Sequence, residues 1–327
     1  FFAGISGSAV ADVAAMGQIE IEMMSRAGYK KSYAAAMTAA SSVIGPIIPP
    51  SIIMVIYGAM MNVSIAGMFA AGLIPGVLIA LGMMAVNYFI SKKRNYPKGE
   101  LPTIKEAGKS LMEGIIPLTM PLIILGGIMF GIFTPTEAAA VAVLYALFVG
   151  FVVYRNFTIK DLILSLKSAF RTSGTVMIIM GAGSVFAWLL AVDQVPQQLA
   201  DIFTSIAGNN QIVTLLIINV LLLIVGMFMD ITAALIILAP VLAPLAINAG
   251  VHPLHIGVIM CINLNIGLIT PPLGGSLFVT AGVAKLDYKE LIKEVFPFIL
   301  VEVAVLFLLT YVPATTLLIP KLLGLIN

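Results

Sequence analysis

Two short stretches hold the residues best suited to chemistry, and in both the chemistry belongs to the backbone. Ile44-Gly45-Pro46-Ile47-Ile48-Pro49-Pro50 and Ile266-Gly267-Leu268-Ile269-Thr270-Pro271-Pro272 each lie inside a long apolar run. Every proline removes an amide donor and clashes with the turn before it, so neither stretch can continue as a regular helix. Carbonyls freed inside a bilayer are costly unless protein, water or an ion meets them. Together with hydroxyls such as Thr270, they form an oxygen cage suited to a hard cation. Asn263 and Asn265 add amide groups just upstream, and Ser41-Ser42 hold the matching place in the first stretch.

A Gly-interrupted segment with a polar turn precedes each break. The first is Gly4-Ile5-Ser6-Gly7-Ser8-Ala9-Val10-Ala11-Asp12 and the second is Gly226-Met227-Phe228-Met229-Asp230-Ile231-Thr232. Both reach an acid near a helix start, where Asp12 and Asp230 either cap free amides or serve a bound solute; both roles stay open. The small residues around Ser6-Gly7-Ser8 let backbone approach a solute closely. Other polar groups read more simply. Thr134-Pro135-Thr136-Glu137 is a capping box. His252 and His255, beside Pro253 and without a neighbouring carboxylate or thiol, read as surface residues of a loop. With no nucleophile–base or metal-ligand pattern, no enzyme is expected.

The elements that must position these residues are membrane helices. Of 327 residues, 61% are hydrophobic and 10% charged, against roughly 45–50% and about 25% in a soluble domain. The net charge of +2 gives no reason to expect nucleic acid, and the single Cys261 excludes an internal disulfide. Apolar runs predict crossings near 32–62, 66–91, 111–133, 136–154, 172–193, 254–284 and 295–312. Segments 1–25 and 211–249 are long, apolar and broken by Gly or Asp, and 156–171 reads as an amphipathic helix along the cytoplasmic interface. If 211–249 enters and leaves by one face, all Lys and Arg except Lys321 fall on one side, which the positive-inside rule makes cytoplasmic. The tail is then periplasmic. Phe1 opens inside an apolar stretch with no signal-like charged region, so the native N-terminus is expected upstream.

An offset of 222 aligns the chain with itself. Ala27-Gly28 falls on Ala249-Gly250, the two Pro-Pro stretches coincide, and Pro75 falls on Pro297. The flanking loops carry opposite charge patterns, which predicts inverted copies, the pattern of secondary transporters. The expected fold is an all-α polytopic membrane protein: an inverted-repeat transporter with re-entrant hairpins and broken helices, whose elevator type is what the resemblance below implies. Residues 1–64 form the first hairpin part and broken helix of a transport domain, and 65–208 form scaffold and arm helices. Residues 209–285 form the second hairpin and broken helix, and 286–327 a C-terminal scaffold helix and tail. An ion channel also uses carbonyl cages; saturable, sodium-dependent uptake distinguishes the two.

Four motifs carry a resemblance. Phe2-Ala-Gly-Ile-Ser-Gly-Ser-Ala-Val-Ala-Asp12, Ile44-Gly-Pro-Ile-Ile-Pro-Pro-Ser51, Gly131-Ile-Phe-Thr-Pro-Thr-Glu-Ala-Ala-Ala140 and Ile266-Gly-Leu-Ile-Thr-Pro-Pro272 resemble the large membrane subunit of tripartite ATP-independent periplasmic (TRAP) transporters, over essentially the whole chain. The resemblance implies a sodium-coupled, elevator-type importer of acidic organic solutes in the bacterial inner membrane. It implies a small four-helix membrane subunit and a periplasmic substrate-binding protein as partners, and further N-terminal helices with the first arm of the first hairpin upstream of Phe1. By position it implies at least two Na+ sites, one from Ser6 and Ser8 with Gly45, Ile48 and Pro49, the other from Gly226 with Gly267, Thr270 and the Leu273 carbonyl. Solute is then expected between the hairpin tips, at Ser6, Gly7, Ser8, Asp12, Asp230 and Thr232. The Ser-Gly-Ser-Ala-Val-Ala-Asp form is closer to sialic-acid members than to dicarboxylate members. The alternative is a divalent-anion/sodium symporter that needs no binding protein.

Overall fold

The computed structural model describes residues 7–97, 103–195, 197–198, 201, 205 and 210–326, and among them every regular element is a helix. The chain divides into two compact units: Phe1–Lys98 with Val185–Asn327, and Gly99–Ser184.

In the first unit α1 (Ala9–Arg26) and α2 (Lys31–Ser42) are followed by the first break, then α3 (Ile52–Met60) and α4 (Ile65–Lys93). Its second half runs α8 (Gln211–Gly226), α9 (Ile231–Asn248), α10 (Pro253–Gly267), the second break, α11 (Gly275–Ala284), α12 (Tyr288–Tyr311) and α13 (Ala314–Leu322). The expected crossings 32–62 and 254–284 are thus each a pair of helices joined by a non-helical segment. Both breaks contain a cis peptide bond at the matched positions Pro49-Pro50 and Pro271-Pro272. The helices α1 to α4 and α9 to α12 keep the same order at the offset of 222, and α1 and α9 coincide residue for residue. Both of those helices end on a glycine in the left-handed region, Gly28 with φ +93 and Gly250 with φ +92. There the next amide reaches back five residues, Tyr29 N to Met24 O and Val251 N to Ala246 O, closing a Schellman-type end.

The two sets of helices exchange partners. Helix α1 packs on α11 and α9 on α3; likewise α2 packs on α12 and α10 on α4. At the centre lies α10, mostly apolar and buried at every residue from Leu254 to Gly267. Polar side chains tie these packed helices together. Asn263 Nδ2 donates to Asn219 O at 3.0 Å and to Asn219 Oδ1 at 2.7 Å, and Asn219 Nδ2 donates to Thr310 Oγ1 at 3.1 Å, joining α8, α10 and α12. At the Lys/Arg-rich end, Glu294 pairs with Arg94 at 2.7 Å and Lys30 at 3.3 Å, and the Arg94 guanidinium lies 5.2 Å from the Tyr33 ring centre.

The histidines differ from expectation. His255 is 1% exposed, not a surface residue, because α10 is surrounded on all sides. Its Nε2 donates to Thr310 O at 3.0 Å, since a carbonyl can only accept, and Nδ1 meets Thr316 Oγ1 at 2.6 Å. With both nitrogens satisfied, burial is tolerated. His252 is the N-cap of α10, accepting from Leu254 N at Nδ1 over 3.2 Å, and partial burial lowers its pKa.

The second unit holds α5 (Ile104–Met129) and α6 (Pro135–Phe148), which runs into one π turn at Val149–Val153. The capping box is present: Thr134 accepts from Glu137 N, and the Glu137 carboxylate accepts from Thr134 N at 2.8 Å. Helix α7 (Ile159–Val192) departs from the sequence reading. The interfacial helix expected at 156–171 and the crossing at 172–193 are one continuous element. Thr158 and Asp161 cap its start, and no proline interrupts its 34 residues. At about 1.5 Å per residue it is longer than the ~30 Å hydrocarbon layer. By length and composition α4, α6 with its π turn, α7 and α9 can each cross a membrane, and α12 with α13, bent by 59°, makes a fifth candidate.

Candidate functional site

Each break is met by the turn that precedes the matched hairpin helix. At the first, a Cβ placed on Gly7 would lie 3.0 Å from Pro50 O and 3.5 Å from Ile52 N, so the Gly7–Ser8 turn abuts the break. Ser8 caps α1, accepting from Ala11 N at 3.4 Å. Within the break Ser51 Oγ donates to Pro46 O at 2.5 Å and accepts from Met54 N, which starts α3. The Ile48 side chain packs where α4 has Gly76, whose added Cβ would sit 2.3 Å from Ile48 Cγ1. Among the described residues no hydrogen bond reaches the carbonyls of Gly45, Ile48 or Pro49. Of these, Gly45 O is the one released by a proline four residues on, Pro49; Pro46 O, released by Pro50, is met by Ser51 Oγ.

At the second break the approach is closer still. A Cβ on Gly267 would lie 2.5 Å from Gly226 C and 2.8 Å from Gly226 O, so only glycine fits where α8 ends against α10. The turn beyond Gly226 is tethered to the break, Gly274 N donating to Met227 O at 3.3 Å. Thr270 Oγ1 donates to Ile266 O at 2.7 Å, a bond back to its own helix. Leu273 O accepts from Tyr288 Oη at 2.5 Å. Across the molecule's two halves, Ser42 Oγ and Ser276 Oγ lie 3.2 Å apart, joining the end of α2 to the start of α11.

Between turn and break lies a cavity of about 300 Å³. Met227, Phe228, Met229 and Asp230 form one wall, Leu268, Leu273, Gly275 and Phe278 another, and Val10 of α1 a third. It is largely apolar, with Asp230 as its carboxylate. That carboxylate caps α9, accepting from Thr232 N at 2.9 Å and Ala233 N at 3.3 Å.

A family model described as "Tripartite ATP-independent periplasmic transporter, DctM component" matches residues 1–315. The chain belongs to this DctM family. Similar proteins include the sialic acid TRAP transporter large permease protein SiaM of Vibrio cholerae, 44% identical over 98% of this chain and 75% of its own length. The sialic acid TRAP transporter permease protein SiaT of Haemophilus influenzae is 40% identical over 98% of this chain, which spans 52% of it. The C4-dicarboxylate TRAP transporter large permease protein DctM of Pseudomonas aeruginosa is 38% identical over 99% of this chain and 75% of its own length. These relatives are permeases rather than enzymes, and the chain is a multi-pass membrane protein.

In this DctM-family chain, the residues expected to act together fall into distinct places. Gly226 and Gly267 are in backbone contact, with Thr270 and Leu273 in the same break. Gly45, Ile48 and Pro49 share the first break, against which Gly7 packs. Ser6 lies outside the described residues. Of the expected solute residues Asp230 lines the cavity; Gly7, Ser8, Asp12 and Thr232 are not among its lining, although Val10 brings the start of α1 to the wall. Asp230 is an N-cap. Asp12 is not: Ser8 takes that position, and Asp12 sits in the first turn of α1, where its charge suits the helix dipole. Asn263 and Asn265 direct their amide nitrogens to Asn219 and to Cys261 O, while their Oδ1 atoms, buried, have no partner among the described residues. Sequence reasoning missed Tyr288, which lies beyond the second break with no pattern of spacing to mark it.

Proposed function

We propose that this chain works as the large permease of a TRAP transporter: a sodium-coupled importer of an acidic organic solute in the bacterial inner membrane. A periplasmic binding protein delivers the solute, and a small four-helix membrane subunit accompanies the permease. The observation that carries this reading is the pair of matched breaks, each met by a hairpin turn, the first with the Gly45, Ile48 and Pro49 carbonyls unpaired among the described residues. Carbonyls of Gly45, Ile48 and Pro49, with Ser6 and Ser8, form one sodium site; Gly226, Gly267, Thr270 and the Leu273 carbonyl form the other. The Thr270 hydroxyl gives its proton to Ile266 O, which leaves its oxygen lone pairs for a cation.

Solute occupies the cavity beside Asp230. An acidic solute next to that carboxylate is repelled at close range unless a cation lies nearby, which is a physical reason for coupling sodium to solute. Sialic acid is the first candidate, because the Ser-Gly-Ser-Ala-Val-Ala-Asp form is closer to sialic-acid members and two permeases named for it share 44% and 40% identity; a permease named for isethionate shares 43%. The exchange of packing partners between the two sets of helices supports copies related by a two-fold axis, and the opposite loop charges support an axis in the membrane plane. In the elevator reading, 1–64 and 209–285 move together against 65–208 and 286–327. Cells carrying the complete transporter should lose sialic acid uptake when external sodium is replaced by potassium. Equal uptake in the two media overturns sodium coupling.

A further inference from the structure

Tyr288, the first residue of α12, reaches back across the whole of α11 to the second break. Its hydroxyl lies 2.5 Å from Leu273 O and 3.0 Å from Pro272 O. Its ring packs on Phe278, with centroids 5.1 Å apart. Leu273 and Phe278 both belong to the cavity wall, and both are largely open, at 45% and 58% exposure. The segment is also held from the other side. Gly274 and Lys285, which flank α11, are both in the left-handed region with φ 55 and φ 50, and on the opposite side Gly274 N donates to Met227 O at 3.3 Å and Ser276 N to Leu268 O at 3.0 Å. Residues 272–274 are therefore suspended between the hairpin turn and α12. A phenol has one proton and two carbonyls within reach, so the donor can serve one while the other is taken by something else. At the offset of 222 the matching residue is Ala66, which has no hydroxyl, so the first break has no such hold.

We propose that Tyr288 is a latch on the cavity: a positioning residue whose hydroxyl holds the Pro272–Leu273 carbonyls and whose ring holds Phe278, so that access to the cavity opens on the side of the second break and not the first. The inference rests on the reading that this cavity takes the solute. The latch acts through the backbone of the wall and does not itself touch solute. When Leu273 O turns to another partner, the hydroxyl transfers to Pro272 O and the hold on α12 stays; without the hydroxyl the segment keeps its bond to Met227 O and loses its hold on α12.

The test uses cysteine accessibility in membranes of the complete transporter, which needs no transport. Cys261, the one cysteine of this sequence, is wholly buried and stays silent. Leu273→Cys reports on the second break, and Ile52→Cys, 46% exposed at the first, is the control. Adding Tyr288→Phe should raise the maleimide labelling rate at position 273 by about fivefold, as loss of one neutral hydrogen bond shifts an open–closed equilibrium. The rate at position 52 should not change. Equal rates at 273 overturn the latch, and so does a rise at both positions, which marks general loosening. Sialic acid uptake by Tyr288→Phe alone is the second readout: the latch predicts a raised solute KM with Tyr288→Leu, which also loses the ring contact, raising it further. A labelling response without any sialic acid uptake in the parent protein would leave the latch standing and remove that solute from the cavity.

Discussion

Thr270 makes the back-bond that Thr often makes in apolar helices, and that bond alone would suit a purely structural residue. The two roles separate on mutation. Thr270→Val keeps the shape and removes the oxygen, and losing one ligand from a cage of hard oxygens costs about 1–3 kcal/mol. The sodium concentration for half-maximal uptake should therefore rise roughly tenfold, with expression unchanged. Superimposable sodium titrations would make Thr270 a packing residue. His252 gives a prediction about stability and pH. Its Nδ1 must be unprotonated to cap α10, and burial lowers its folded-state pKa below the unfolded value. The cap's contribution is thus complete above the unfolded pKa, about 6.5, and is lost as pH falls through the lower folded value. Losing a cap costs roughly 1 kcal/mol. Thermal unfolding at pH 7.5 and 5.5 should show a smaller acid loss in His252→Asn than in the parent, and an identical loss would discount the cap. Glu302 is an open cost: both its oxygens are buried on α12 with no partner among the described residues. Glu302→Leu should leave the unfolding temperature unchanged or raise it, since an unpaired buried carboxyl is unfavourable; a fall of several degrees would reveal a partner.

Helices and breaks follow from local rules more directly than contacts do. Prolines at 46, 49, 50, 271 and 272 forbid a regular helix, and the structure has non-helical segments there. The Thr134–Glu137 box was legible because its geometry is entirely local. His255 was not legible, because a loop-like sequence beside Pro253 says nothing of the helices that close around it. Nor was the unity of α7: an amphipathic stretch followed by an apolar one has no signal for continuity except the absence of a breaker. The Gly226–Gly267 approach was visible only as two glycines at helix ends, with no hint of which would touch. It yields a sharp contrast. Gly267→Ala sets a methyl against Gly226 backbone and should destabilise by about 1–3 kcal/mol, lowering the amount of folded protein. Gly282→Ala, inside α11 with nothing within 4 Å of the added carbon, should stabilise by about 0.5–1 kcal/mol. Similar effects from both would mean that the close approach is not what demands glycine.

In the first unit, helices matched at one offset exchange packing partners, as the proposed inverted copies would. Their orientation rests on charge. If 211–249 enters and leaves by one face, every Lys and Arg but Lys321 falls on one side and residues 313–327 should be periplasmic; a C-terminal reporter active only in the cytoplasm would overturn that topology. The central claim is that two oxygen-lined breaks harness sodium to move an acidic solute handed over by a binding protein. It is tested most directly by purifying the permease with its small membrane subunit, reconstituting both into proteoliposomes, and following labelled sialic acid. An inward sodium gradient should drive accumulation when the periplasmic binding protein is present, with none when either the gradient or the binding protein is withheld. Accumulation that proceeds without sodium, or equally well without the binding protein, would contradict the account.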